Sequence, residues 1–313
     1  QNGLPEASTT TFLFRFFNTS LIENGTGQTI PLLLALTSSR WRFPPKIYSD
    51  SEIKERLASL RSVGAFSPMP IIVSQGSTMT NILILGGTKE ARELCLEVNR
   101  RNIRSIVSYA GRVTTVETQP LPSRIGGFGG VAGMVDFITQ QRITHLIDAT
   151  HPFAKNISEN AIKAAKITGT RFATLERPEW VAGPEDNWIR VKNVNEAVNS
   201  LNKTSERIFL AIGKQNIGEF MTQDQHFYLL RFVEEDPLKV FQSICHVIYA
   251  KGPFKYEDDK KILLNYKISK VITKNSGGNG VRAKIDAARV LKIPVVMIDR
   301  PIITKRITFT TVE

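Results

Sequence analysis

The chain has 313 residues, room for about two domains of ordinary size, each with its own core. Hydrophobic residues at 42% and charged residues at 22% exclude both a disordered chain and a membrane-embedded one. The 41 Lys and Arg against 29 Asp and Glu leave a net charge of +12, which points to an anionic partner: a phosphate cofactor, a polycarboxylate or a nucleic acid. The two cysteines, Cys95 and Cys245, each fall in a helix-like stretch without metal-ligand spacing. No disulfide framework or zinc site is therefore expected, and a reducing cytoplasm is the default compartment.

Residues 1–78 are rich in Ser, Thr and Pro and show no sustained apolar period; 49–60 is their one helix-like stretch. Their longest apolar run, 30–36, is too short to span a bilayer, and Glu6 and Glu23 speak against a targeting peptide. This segment reads as a poorly ordered extension of unknown role, with a true start at Met79. A protein beginning at Met79 is expected to fold and stay active.

From Asn81 the pattern turns regular. Strands are expected at 82–85, 105–108, 145–148 and 172–175, with helices at 89–101, 131–140 and 153–168 between them. Strands that alternate with helices imply a parallel sheet covered on both faces. Arg177-Pro178 and Gly183-Pro184 mark a hinge, after which strands recur at 208–211, 227–230, 271–273 and 295–298. The fold class is thus α/β, with one domain over 79–178 and a second over 179–313.

Chemistry-bearing residues gather at the expected strand ends. Gly86, Gly87 and Thr88 stand where a strand becomes a helix, a place where backbone amides and the helix dipole favour a diphosphate; a tight turn would use the same residues. Gly126, Gly127, Phe128, Gly129 and Gly130 precede the next helix and read either as a second ligand contact or as a mobile lid. Asp148, Thr150 and His151 end a central strand, where open parallel sheets bind ligands; His151, before Pro152, serves equally well as a helix cap. In the second domain, Lys274, Asn275, Ser276, Gly277 and Gly278 form a candidate anion cradle with Lys284 beyond it. Lys214, Arg231, Lys251 and Arg300 also follow expected strands and would join Lys274 around one polyanion.

Taken together, Gly86-Gly87-Thr88, Tyr109-Ala110-Gly111-Arg112, Gly126 to Gly130, the run Asp148 to Ala154, Glu176-Arg177-Pro178 with Trp180, and Lys274 to Gly278 resemble the precorrin-6A reductase family of cobalamin biosynthesis. The resemblance runs from Met79 to about Pro301. It implies two Rossmann-like domains with parallel sheets and a ligand cleft between them, and pyridine-nucleotide reduction of the C18=C19 double bond of precorrin-6A to precorrin-6B. The glycine loops would hold the nucleotide and the second-domain cations the substrate carboxylates. His151, Lys274 or water would supply the proton. Other enzymes of the pathway are the expected protein partners, and neither a membrane nor a nucleic acid is. No acid follows the second strand, whereas Ser108, Tyr109 and Arg112 offer a hydroxyl, a ring and a guanidinium, so NADPH is the expected cofactor.

Other readings remain distinct at this point. A cobalt-precorrin-6A reductase using NADH carries the same motifs, and a nucleotide-sugar glycosyltransferase shares the two-domain build. A nucleic-acid-binding module would explain the charge, yet the excess is spread through the body: from Met79 on, 34 basic residues face 24 acidic ones.

Overall fold

In a computed structural model, the described residues are 21–23, 29–31, 79–110, 120–233 and 245–312. Within the extension, β1 (Leu21–Glu23) and β2 (Thr29–Pro31) pair antiparallel. The helix expected at 49–60 lies outside the described residues, as does Arg112.

The α/β body begins with β3 (Asn81–Leu85), α1 (Lys89–Arg100), β4 (Arg104–Tyr109), β5 (Ser123–Ile125), α2 (Gly130–Gln140), β6 (His145–Asp148), α3 (Lys155–Thr168) and β7 (Arg171–Leu175). It continues with β8 (Trp188–Val191), α4 (Val194–Asn199), β9 (Arg207–Ala211), α5 (Ile217–Phe220), β10 (Phe227–Phe232) and β11 (His246–Tyr249). The last elements are α6 (Tyr256–Asn265), β12 (Lys270–Lys274), α7 (Ala283–Val290), β13 (Val295–Ile298) and β14 (Thr308–Phe309). Cys95 is buried in α1, whereas Cys245 directly precedes β11 instead of sitting in a helix.

Two six-stranded sheets result, both parallel throughout: β14-β7-β6-β3-β4-β5 and β11-β10-β9-β12-β13-β8. Each reverses its order beside its first central strand, the doubly wound arrangement whose crevice lies at the carboxyl ends of the strands. The two halves also trade edges. The chain leaves the first sheet after β7, lays β8 on the far edge of the second, and returns after β13 to place β14 beside β7. The last strand therefore belongs to the sheet built by 79–178, not to the half that precedes it in sequence.

The central strands are apolar because both of their faces are covered. Leu83, Leu85 and Leu146 pack with Met134 and Ile138 of α2 and Ala161, Ala164 and Ala165 of α3. In the second sheet Ile208, Leu210 and Ile272 face Ala197, Val198 and Phe220, while Phe209, Val271 and Met297 face Leu263, Ile285 and Ala288 on the opposite side. The alternation is the two-residue period of a strand, and each such fully buried side chain stabilises the fold by roughly 1.5–3 kcal/mol.

Candidate active site

At the first crevice, the β3–α1 turn is tied to its neighbours by backbone bonds. Gly86 N–H donates to Ser108 O at 2.9 Å, and Ala149 N–H to Leu85 O at 3.0 Å. Gly87 takes φ +120°, and a Cβ built there meets nothing within 4 Å, so the backbone faces open space. A diphosphate cradle needs that combination. Thr88 caps α1: its hydroxyl accepts from Ala91 N–H at 3.0 Å and gives its only proton to Ala149 O at 2.8 Å. The hydroxyl expected to reach a ligand is engaged in fixing the turn to the end of β6.

Beside this turn, the end of β4 supplies Ser108 and Tyr109. Ser108 is buried; the Tyr109 ring lies against Gly86, where an added Cβ would meet it at 3.0 Å, and burial pushes its hydroxyl up to about 12. Opposite Ser108 in register stands Arg124, a residue the sequence did not single out. Its Nη1 donates to Ser108 Oγ at 2.7 Å and Gly126 O at 3.0 Å, its Nη2 to Gly127 O at 3.0 Å, and its Cζ lies 4.0 Å from the Phe128 ring centre. The glycine stretch before α2 is thus draped over a guanidinium, with Gly129 in a left-handed conformation as N-cap.

The end of β6 carries the third group. Asp148 is buried, and its Oδ1 accepts from Thr150 N–H at 3.1 Å and Thr150 Oγ1 at 2.7 Å, so these two residues shape the turn. His151 is exposed, and its Nδ1 accepts from Phe153 N–H at 3.2 Å, which leaves the neutral ring's proton on Nε2. Between the 127–130 stretch, residues 153–157 leading into α3, and Gln215 of the second half lies a cavity of about 330 Å³. It joins the two halves at their strand ends.

On the facing side, Lys274 closes β12. Its Nζ donates to Asn216 Oδ1 at 2.8 Å and stands 5.3 Å from the centre of the Phe153 ring; the His151 ring centre is 5.8 Å from the same ring. The two candidate proton donors therefore meet on one aromatic side chain, although they come from different sheets. Lys214 and Lys251 are exposed beyond the strand ends.

The remaining expected anion ligands are engaged within the protein. Arg231 is buried against Asp259 and stacks on Phe254 at 3.5 Å. Lys284 is buried, donates to Val281 O, and is pulled down to about 7 by desolvation and by Arg231 nearby. Asn275 exchanges two hydrogen bonds with the Trp180 backbone, at 2.9 and 3.0 Å. Arg300 pairs with Glu176 and donates to the carbonyls of Asn275, Ser276 and Arg177.

These last contacts form a clasp where the chain crosses between halves. Glu176 also takes Arg306 at 2.6 Å, and Arg177 reaches from Ser276 O at 2.6 Å to Glu90, in the first turn of α1, at 2.9 Å. Trp180 Nε1 donates to Gly278 O at 2.8 Å. Much of what reads in sequence as an anion cradle is the seat of the crossing segment. Among the described residues, no group of His, Cys, Asp and Glu would hold a metal ion, and no helix is long and apolar enough to cross a membrane.

Comparison with known proteins extends this picture. The precorrin-6A reductase of Rhodobacter capsulatus is 44% identical over 237 residues, 75% of this chain and 94% of its own. A cobalt-precorrin-6A reductase of Methanothermobacter thermautotrophicus is 30% identical over 237 residues, 71% of this chain and 76% of its own. A solved structure described as CobK precorrin-6A reductase is 44% identical and superposes with a TM-score of 0.70, covering 75% of this chain and 93% of that one. The family model described as Precorrin-6x reductase CbiJ/CobK matches residues 81–313, the whole α/β body from its first strand onward, and the chain belongs to that family.

Proposed function

We propose that the protein catalyses NADPH-dependent reduction of the C18=C19 double bond of precorrin-6A, giving precorrin-6B, in the cytoplasm and alongside other enzymes of cobalamin biosynthesis. The observation that carries the reading is the cavity between the halves, with the 127–130 glycine stretch on one wall and Phe153 on another, Lys274 Nζ standing 5.3 Å from the Phe153 ring centre. Identity of 44% to a precorrin-6A reductase supports the choice of substrate.

The nucleotide fits the first crevice because Gly87 leaves its backbone uncovered and α1 directs its first-turn amides there. Bound in that crevice, the reduced nicotinamide supplies a hydride. The chain's own work is to hold, orient and exclude water. Gly86, Gly87, Ser108, Tyr109, Gly126, Gly127, Phe128 and Gly129 are assigned to the nucleotide, and Thr88 and Thr150 to holding the turns. Lys214, Lys251 and Lys274 are assigned to the acetate and propionate groups of the macrocycle, whose negative charge also suits the +12 of the chain. Saturating a double bond with a hydride needs one proton as well. The Lys274 ammonium or His151 as the imidazolium delivers it, directly or through water.

The test is to incubate the protein with precorrin-6A and each reduced nucleotide while following both spectra. Loss of reduced nucleotide in step with conversion of the corrinoid is expected, faster with NADPH; no reaction with either nucleotide would overturn the reading. Running the cobalt-loaded substrate in parallel separates the two family activities. Lys274→Ala is expected to weaken substrate binding by about 1.5–3 kcal/mol, the range for a charge-assisted hydrogen bond, and to leave nucleotide binding unchanged.

A further inference from the structure

The buried or half-buried guanidiniums of Arg177, Arg231, Arg289, Arg300 and Arg306 each meet a carboxylate. Arg124 does not. Among the described residues the hydrogen-bond partners of Arg124 are one hydroxyl and two carbonyls, all neutral, and burial presses its pKa down. Five N–H groups point outward from a guanidinium, and these contacts use three. The plane is fixed by Ser108 below and by the Phe128 ring at 4.0 Å. A fixed cation that, among the described residues, keeps two donors without a partner and meets no acid is suited to take an anion.

Its position names the anion. Arg124 sits beside the end of β4, the second strand of the nucleotide-binding unit, in register with Ser108, whose carbonyl accepts from Gly86 N–H of the diphosphate turn at 2.9 Å. The ribose nearest the adenine meets the protein at the end of that strand, and an NAD site carries an acid there to take the ribose hydroxyls. Here the position is Ser108, and its hydroxyl serves the guanidinium.

We propose that Arg124 binds the 2′-phosphate of NADPH and sets the preference for it over NADH. This rests on the nucleotide reading above, and adds to it a residue from β5, on the sheet edge. The same guanidinium also clamps Gly126 and Gly127, so the experiment must separate a loop clamp from a phosphate ligand. Binding of NADPH, NADH, 2′,5′-ADP and 5′-AMP is measured by calorimetry for the unmutated protein, Arg124→Ala and Arg124→Lys. Arg124→Ala is expected to weaken NADPH and 2′,5′-ADP about 10- to 100-fold and to change NADH and 5′-AMP little. Arg124→Lys is expected to restore part of the loss and serves as the readout should the alanine variant fail to fold. Equal losses for phosphorylated and unphosphorylated ligands, or no loss at all, would overturn the assignment while leaving the nucleotide site standing. An unmutated protein that binds none of the four would remove the nucleotide site, and this assignment with it.

Discussion

In the first half of the body the strand order reverses between β3 and β6; in the second it reverses between β9 and β12. Topology therefore opens a crevice at each place. At the first, Gly87 turns its backbone toward space, with nothing within 4 Å of an added Cβ. At the second, an added Cβ on Gly277 would stand 2.1 Å from Pro178 O, because the crossing segment lies in the crevice. Glycine leaves open space beside it in one half and makes room for the polypeptide itself in the other. One strand order leaves room for a ligand only where the chain keeps out of the crevice, and the other crevice is used to join the halves.

The sharpest way to break this comparison is to cut the clasp. Glu176→Ala takes the carboxylate from Arg306, 13% exposed, and the nearer of two from Arg300, 11% exposed, which keeps only Glu179 at 3.9 Å. A buried charge stripped of its partner costs about 3–5 kcal/mol, read as a lower urea midpoint. Next in size is Gly277→Ala, which adds a backbone collision to a φ of +69° and is expected to cost about 2–4 kcal/mol. Its counterpart, Gly87→Ala, meets no neighbour and is expected to cost about 1 kcal/mol of stability for its φ, yet to weaken nucleotide binding tenfold or more. If the two alanines lose stability equally, or if Gly87→Ala binds nucleotide normally, the contrast between the crevices is wrong.

The smallest effect expected concerns Lys284, buried behind the second crevice near Arg231, Asp259 and Asp286. Its native pKa is about 7, against roughly 10.4 in an unfolded chain. Burial therefore costs stability in full below pH 7, and the cost fades as pH rises toward 10.4. Lys284→Met is expected to raise the melting temperature by about 2–5 °C at pH 6 and by progressively less toward pH 10. A gain independent of pH would mean that the lysine is not held in that state.

The strands that sequence patterning found and those it missed divide by position. The segments at 82–85, 105–108, 145–148, 172–175, 208–211, 227–230, 271–273 and 295–298 are all interior strands, covered on both faces and so apolar at their centres. Besides the β1–β2 pair, the missed β5, β8, β11 and β14 are the edges of the two six-stranded sheets, short and largely uncovered, with sequences such as Ser-Arg-Ile and Trp-Ile-Arg-Val. An edge is defined by its neighbour more than by its own residues, and that neighbour is distant in sequence. The same holds for the site. The glycines of the first crevice are legible because a strand and a helix flank them. Arg124 and Phe153 are not, since one looks like an edge arginine and the other like a helix-start aromatic until their partners are in place. Arg231 and Arg300 read as ligands because a carboxylate 28 or 124 residues away leaves no local mark.

The return of β14 to β7 also fixes an order of events during synthesis. Residues 81–175 leave the ribosome first, but their sheet acquires its sixth strand only with Thr308 and Phe309. At ordinary translation speeds that interval is on the order of ten seconds. Throughout it, β7 presents open backbone groups, since Thr174 N–H and Glu176 N–H await the carbonyls of Ile307 and Phe309. Glu176 likewise waits for both of its arginines. An uncovered edge is a template for pairing with another chain, so the nascent protein is most exposed to misassembly at the half that is made first and finished last.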